Sequence, residues 1–217
     1  MLVAGTPALS LLRMISRIIW KADEMNSTTL EEELKVHTRI MEKTVEQCSP
    51  VISEIVGRLV ECFRNGNKVM FCGNGGSAAD SQHMAAEFVN RFRMDRAALP
   101  AIALTVDTSI LTAIGNDLSY EFTFSRQVEA LAKPGDILAA MSTSGASPNI
   151  LKALDAARQR GVKTVGFTGE KGRQTMASKC DLCLVVPSAD TPRVQEVHEF
   201  VWHAICGMVE QALFVVE

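Results

Sequence analysis

The chain lacks a basic excess. Its 217 residues hold 22 Lys and Arg against 25 Asp and Glu, a net charge of -3, which argues against nucleic acid as a partner. It also lacks a membrane-length apolar run. The uncharged stretch ahead of Arg13 falls far short of the ~20 residues that a spanning helix needs. Arg13 and Arg17 interrupt any signal-peptide core, and no small-residue cleavage pattern follows. Neither a membrane partner nor secretion is expected. Internal repeats, low-complexity tracts and long linkers are missing too. So is a second cysteine pair: Cys180-Asp181-Leu182-Cys183 stands alone and leads into Leu184-Val185-Val186. That context reads as strand packing, against zinc or redox work. Most of the six cysteines sit in apolar patterns, as buried reduced thiols do, which implies a reducing, cytoplasmic setting.

What is present is an alternation of short apolar runs and helical patterns, in a chain long enough for one domain with a substantial core. Residues 1–24 read as a non-essential extension, with Met25 as the natural start. Residues 25–66 read as N-terminal helices, at 28–47 and 51–65, parted by Ser49-Pro50. From 67 to 217 the pattern predicts strands at 68–72, 101–105, 136–141, 163–168 and 181–186. Helices are predicted at 78–91, 108–114, 121–132, 148–160, 172–178 and 193–213. Such alternation implies an α/β three-layer sandwich around a five-stranded parallel sheet, covered on both faces. Ligands in these folds bind at the carboxyl ends of the strands.

Two segments fall at such ends. Phe71-Cys72-Gly73-Asn74-Gly75-Gly76-Ser77 runs from a strand through a glycine-rich turn into a helix. The helix start offers free N–H groups and a partial positive charge, which suit a phosphate. Ser142-Thr143-Ser144-Gly145-Ala146-Ser147-Pro148 repeats the arrangement with four hydroxyls, and Pro148 suits the first position of a helix. A bare helix cap needs one hydroxyl, so this segment reads as a second phosphate nest.

His83 and Glu87 lie four apart, on one face of the helix behind the first nest. Gln195 and His203 share a face of the last helix. Brought together, the four would make an N/O donor set for a divalent metal. Glu196 and Glu199 are carboxylate competitors, or simply solvated charges. His198 points away from that face and reads as structural or surface. Asn116-Asp117 ends a short helix and by itself says only cap and turn.

These residues resemble the sugar-isomerase (SIS) family, and most closely its phosphoheptose isomerases. The matching segments are Cys72 to Ser77, Gln82-His83 with Glu87, Asn90-Arg91-Phe92, Leu99 to Leu104, Leu111 to Asp117, Arg126 to Leu131, Ser142 to Gly145, and Arg193 to His198. They occur in order and at the family spacing from about residue 28 onward. The resemblance implies that Ser77, Ser142, Thr143, Ser144 and Ser147 hold a phosphate. It implies that Asn74, Gly75, Gly76, Asn116 and Asp117 contact the sugar. His83, Glu87, Gln195 and His203 match the positions of one zinc per subunit. Glu87, Gln195 and His203 also approach the substrate, with Glu87 and His203 in proton transfer. The implied substrate is a phosphorylated seven-carbon sugar, sedoheptulose 7-phosphate, converted to D-glycero-D-manno-heptose 7-phosphate through an enediol. The implied assembly is a homotetramer with interfacial sites, serving heptose supply to surface glycans such as lipopolysaccharide. Two departures stand out: Ala146 where an asparagine is usual, and Pro192 before the arginine.

The main rival implied by the resemblance is a tetrameric adaptor that binds the replication initiator DnaA. Those relatives lack the catalytic glutamate and the second histidine of the last helix, and this chain has both Glu87 and His203.

Overall fold

The structure is a computed structural model that describes residues 27–215. The readings made for residues 1–24 and for a start at Met25 lie outside the described residues. The chain divides into two compact units, Met1–Arg39 and Ile40–Glu217, and the second carries the sheet.

Helix α1 (Ser27–Arg64) is continuous, with Pro50 inside it. Two helices were expected here, so this is a correction. Proline removes one backbone donor and costs a helix interior ~3 kcal/mol. Here Glu46, whose carbonyl loses its partner, is exposed, as is Pro50, so water reaches the gap. Ser49 Oγ donates to the Val45 carbonyl, and Ser53 Oγ donates to the Ser49 carbonyl at 3.0 Å. Cys48, Ile55, Leu59 and Phe63 are buried on either side of the proline. Packing of that face outweighs the local cost.

The sheet comprises β1 (Val69–Gly73), β2 (Ala101–Ala103), β3 (Ile137–Ser142), β4 (Lys163–Gly169) and β5 (Leu182–Val186), all parallel, in the order β2-β1-β3-β4-β5. Every residue of β1 and β3 is buried. Strands covered on both faces have no polar side to alternate with, which is why they read as unbroken apolar runs. Successive side chains divide between two cores. Val69, Phe71, Ile137, Ala139 and Met141 join one. Met70, Cys72, Leu138 and Ala140 join the other.

The first core is closed by α1, by α2 (Gly76–Val89) through Met84 and Phe88, and by α6 (Thr191–Phe214) through Val197, Val201 and Trp202. The second is closed by α4 (Ser125–Leu131) through Val128 and by α5 (Pro148–Gln159) through Ile150, Ala153 and Leu154. Helix α3 (Thr108–Asp117) has no buried residue. The expected strands are present with small shifts at their ends, and the three-layer arrangement is as anticipated.

The expected helix at 172–178 is absent. Two 3-10 turns, Glu170–Gly172 and Ala177–Lys179, stand there instead. Gly172 lies so close to Thr168 that a Cβ on it would meet Thr168 Oγ1 at 2.1 Å. Met176 is fully buried and ties the segment to the second core. A short tether with one apolar anchor closes i to i+3 bonds rather than a longer helix. The two sulfurs of the CxxC pack here: a Cβ at Gly166 would meet Cys180 Sγ at 2.6 Å and Cys183 Sγ at 2.9 Å. The pair fills the space over a glycine of β4, as strand packing implies.

Trp202 anchors α6. Its ring stacks on Phe167 at 4.5 Å and meets Phe71 edge-on at 5.1 Å. His198, one turn earlier, is fully buried against the edge of Phe167. It is a core histidine, and neither ring nitrogen meets full hydrogen-bond geometry. Burial pushes its pKa down from 6.5 to about 4, and the Thr168 backbone opposes this only in part. A base kept neutral by the fold takes its proton near pH 6.5 when unfolded but only near pH 4 when folded. Stability is therefore full above pH 6.5 and declines as the pH falls toward 4, by roughly 3 kcal/mol in all at ~1.4 kcal/mol per unit. Urea unfolding at pH 7, 5.5 and 4.5 should show this slope in the wild type and a shallower one in His198→Phe. Equal slopes would mean that His198 does not titrate in this way.

Candidate active site

The order β2-β1-β3-β4-β5 reverses direction between β1 and β3. In open parallel sheets that switch point is where ligands bind, beyond the carboxyl ends of the strands. Both nests open there, because β1 and β3 are direct neighbours with Gly73 paired to Met141.

At the first nest Gly75 has φ +56°, the left-handed turn that glycine takes most readily. No side chain caps α2; the N–H groups of Ala78 and Ala79 return to the Gly75 carbonyl, those of Gly76 and Ser77 precede the first intrahelical bond, and Ser77 is buried. At the second, Gly145 has φ +64° and a Cβ on it would meet the Gly172 backbone at 2.4 Å. Ser142 Oγ accepts from the Gly145 N–H at 3.1 Å and lies 3.3 Å from Ser147 Oγ. Ser144 Oγ accepts from the Ala146 N–H at 3.3 Å. Ser147 makes no side-chain cap on α5. The simple capping role is thus not what the hydroxyl does. Thr143 lies half-buried within the loop, and its carbonyl accepts from the Gly169 N–H.

The two nests are joined by a residue that sequence reading missed. Asn149 and Asn74 form a reciprocal amide pair, with bonds of 2.9 and 2.8 Å. Tyr120 OH donates to the same Asn74 Oδ1 at 3.0 Å. The signal available was an asparagine directly after Ser147-Pro148, facing the switch point. Asn116 and Asp117 are exposed at the end of α3, where Asn116 Nδ2 donates to Asp117 Oδ1 at 2.8 Å. Among the described residues no hydrogen bond joins this pair to the nests.

The donor cluster forms between α2 and α6. His83 Nε2 lies 3.2 Å from Glu87 Oε1 and 3.4 Å from His203 Nε2. The two imidazoles meet edge to face, and Phe92 stacks on His203 with ring centres 5.6 Å apart. Gln195 sits about two turns before His203 on α6, donating from Nε2 to Asp80 Oδ1 at 3.2 Å. Its amide packs over Gly76, where a Cβ would meet it at 2.3 Å. So glycine at 76 makes room for Gln195. Asp80 is buried, and burial raises its pKa. Glu199, noted at first only as a competitor, also joins: donor atoms of His83, Glu199 and His203 all lie within 4.8 Å of one another.

Two imidazole nitrogens facing each other at 3.4 Å, with carboxylates close by, fit a borderline divalent cation such as zinc. His83 and His203, with Glu199 or Glu87 beside them, are the side chains grouped closely enough to hold it, while Gln195 is turned to Asp80 through its amide nitrogen.

The loop beyond α2 keeps this cluster in place. Glu210 accepts from the N–H groups of Phe92, Arg93 and Met94 and from Arg96 Nε, all between 2.9 and 3.2 Å. Arg96 in turn donates to the carbonyls of Glu87 and Phe88, each at 2.8 Å. Both side chains are 1% exposed. Burial alone would raise the Glu210 pKa, but these donors outweigh it and hold the carboxyl below its usual range.

Comparison with known proteins agrees with this geometry. The SIS domain family profile matches residues 34–169. A phosphoheptose isomerase of Roseiflexus sp. is 55% identical over 84% of this chain and 92% of its own length. One from Trichlorobacter lovleyi is 52% identical over 85% and 94%. The solved phosphoheptose isomerase of Neisseria gonorrhoeae superimposes with a TM-score of 0.80 at 36% identity, covering 85% of this chain and 98% of that one. That of Francisella tularensis gives 0.82 at 34%, covering 86% and 100%. The chain belongs to the phosphoheptose isomerases of the SIS-domain family and is an isomerase of phosphorylated sugars.

Proposed function

We propose that this isomerase converts sedoheptulose 7-phosphate to D-glycero-D-manno-heptose 7-phosphate. The observation that carries the reading is the placement of a carboxylate–imidazole cluster beside two phosphate nests at one switch point. The nests anchor the phosphate at the far end of the sugar. Binding energy gained there orients the reacting carbons, which need no charged contact of their own.

Aldose–ketose exchange moves a proton between adjacent carbons through an enediol. Glu87 removes the proton next to the carbonyl. His203, held flat by Phe92, serves as the acid that returns a proton on the other side. Asn74 and the turn Gly75-Gly76 line the path of the sugar chain, with Asn116 and Asp117 as further contacts. Zinc, one per subunit, held by His83, Glu87, Gln195 and His203 would polarise the carbonyl oxygen of the sugar and the hydroxyl next to it. The chain is proposed to act as a homotetramer with sites at subunit interfaces. Helix α3, which has no fully buried residue, exposes Ile110, and Leu118 just after it is exposed too, which supports an interface on that side. Its setting is the cytoplasm, where it supplies heptose for surface glycans. Among the described residues no helix is long and apolar enough to cross a membrane.

The test is purified protein with sedoheptulose 7-phosphate, followed by NMR, with arabinose 5-phosphate run in parallel. Formation of heptose 7-phosphate supports the assignment. Turnover of the five-carbon sugar alone would refute it.

A further inference from the structure

We infer that Glu199 is a positioning residue: its carboxylate lies 3.3 Å from His83 Nδ1, and when a metal binds it accepts the Nδ1–H and thereby fixes Nε2 toward the metal. The inference rests on the metal reading proposed above. An imidazole has two nitrogens on different edges of the ring. The His83 Nε2 edge faces Glu87 at 3.2 Å and His203 at 3.4 Å. The Nδ1 edge faces Glu199 Oε1 at 3.3 Å. With a carboxylate at each edge, the ring is flanked on both sides, and a small rotation aligns Nδ1–H with Glu199. A neutral imidazole whose Nδ1–H is spent on a carboxylate presents Nε2 as a bare lone pair, the form that binds a cation.

Helix geometry explains why Glu199 is in position. Gln195, Glu199 and His203 follow one another at four-residue spacing and form a single stripe on α6. Asp80, His83 and Glu87 form the facing stripe on α2. Contacts cross between them in both directions. Asp80 on α2 accepts from the Gln195 amide at 3.2 Å, which leaves the Gln195 oxygen unspent. Glu199 on α6 holds His83. Each helix thus supplies a carboxylate that orients a donor on the other. A carboxylate behind a ligating histidine raises its basicity and fixes its angle, and its loss typically lowers metal affinity ~10- to 100-fold. The Glu199 side chain is 46% exposed, so solvent screens its charge and the expected loss sits at the lower end.

The experiment is zinc binding to the whole chain, read by competition with a chromophoric chelator, for wild type, Glu199→Ala and Glu199→Gln. Circular dichroism confirms that each is folded. Glu199→Ala should bind zinc about 10-fold more weakly, up to ~100-fold. Glu199→Gln should fall between, because an amide oxygen still accepts the Nδ1–H. Equal affinity for Glu199→Ala and wild type would overturn the inference and leave the metal site standing. A loss beyond ~100-fold in both variants would make Glu199 a ligand, which also overturns it. A wild type that binds no zinc would remove the metal reading itself, and the inference with it.

Discussion

Glu87→Gln should fold and assemble as the wild type does and lose about 100- to 10,000-fold in kcat, the range that a positioned acid–base group supplies. Glutamine keeps the size of the side chain and an acceptor toward His83, but it cannot take up a proton. In the proposed reading the nests anchor the phosphate independently, so KM should change little. A kcat loss at constant KM marks an interaction made in the transition state. Glu87 is also a proposed metal donor, so zinc content must be measured on the same sample. A variant that retains zinc yet loses turnover places the defect in proton transfer. Near-normal kcat would remove Glu87 as the base.

The second large effect concerns stability. In Glu210→Ala, three backbone N–H groups and the Arg96 guanidinium lose their acceptor inside a site that is 1% exposed. Breaking one partner of a buried pair typically costs ~3–5 kcal/mol. Against a total of ~5–15 kcal/mol for a whole domain, that is a large share. At ~2–4 °C per kcal/mol for a chain of this size, the melting temperature should drop by about 6–20 °C. Activity should fall further than stability alone requires, since the same knot holds the Glu87 carbonyl and the Phe92 ring that backs His203. Calorimetry together with kinetics at a temperature where the variant is folded would show both. A shift under about 2 °C would mean that water replaces the lost acceptor at little cost.

Much of this was legible because it is local. Buried parallel strands leave unbroken apolar runs, and Val69 to Gly73 and Ile137 to Ser142 are such runs. Gly75 and Gly145 mark the turns that need positive φ, and the hydroxyls around Gly145 mark the second nest. The spacing of His83 with Glu87, and of Gln195 with His203, follows from helix periodicity alone. That the two pairs face each other is not readable from periodicity, which cannot pair one helix with another; the donor chemistry suggested it and the family resemblance implied it.

What was not legible is long-range. Pro50 signals a break locally, but the buried face on both sides of it holds the helix together. The segment 172–178 has helical composition, yet its closeness to Thr168 and Gly145 leaves room only for 3-10 turns. Asn149 pairs with Asn74 across 75 positions, and Glu210 reaches back 118 to Phe92. Nothing in the neighbourhood of either residue announces its partner. Glu199 looked like one more solvated charge until the fold placed His83 beside it. His198 looked structural or exposed, and the fold places it in the core.

The most direct test of the account is turnover of sedoheptulose 7-phosphate on one preparation, measured before chelation, after removal of metal, and after zinc is returned. Heptose 7-phosphate formation should stop on chelation and recover in proportion to zinc bound, up to one ion per chain. Undiminished turnover in the metal-free protein would contradict the role given to the His83, Glu87, Gln195 and His203 cluster. No turnover at any zinc occupancy, from a folded protein, would contradict the substrate.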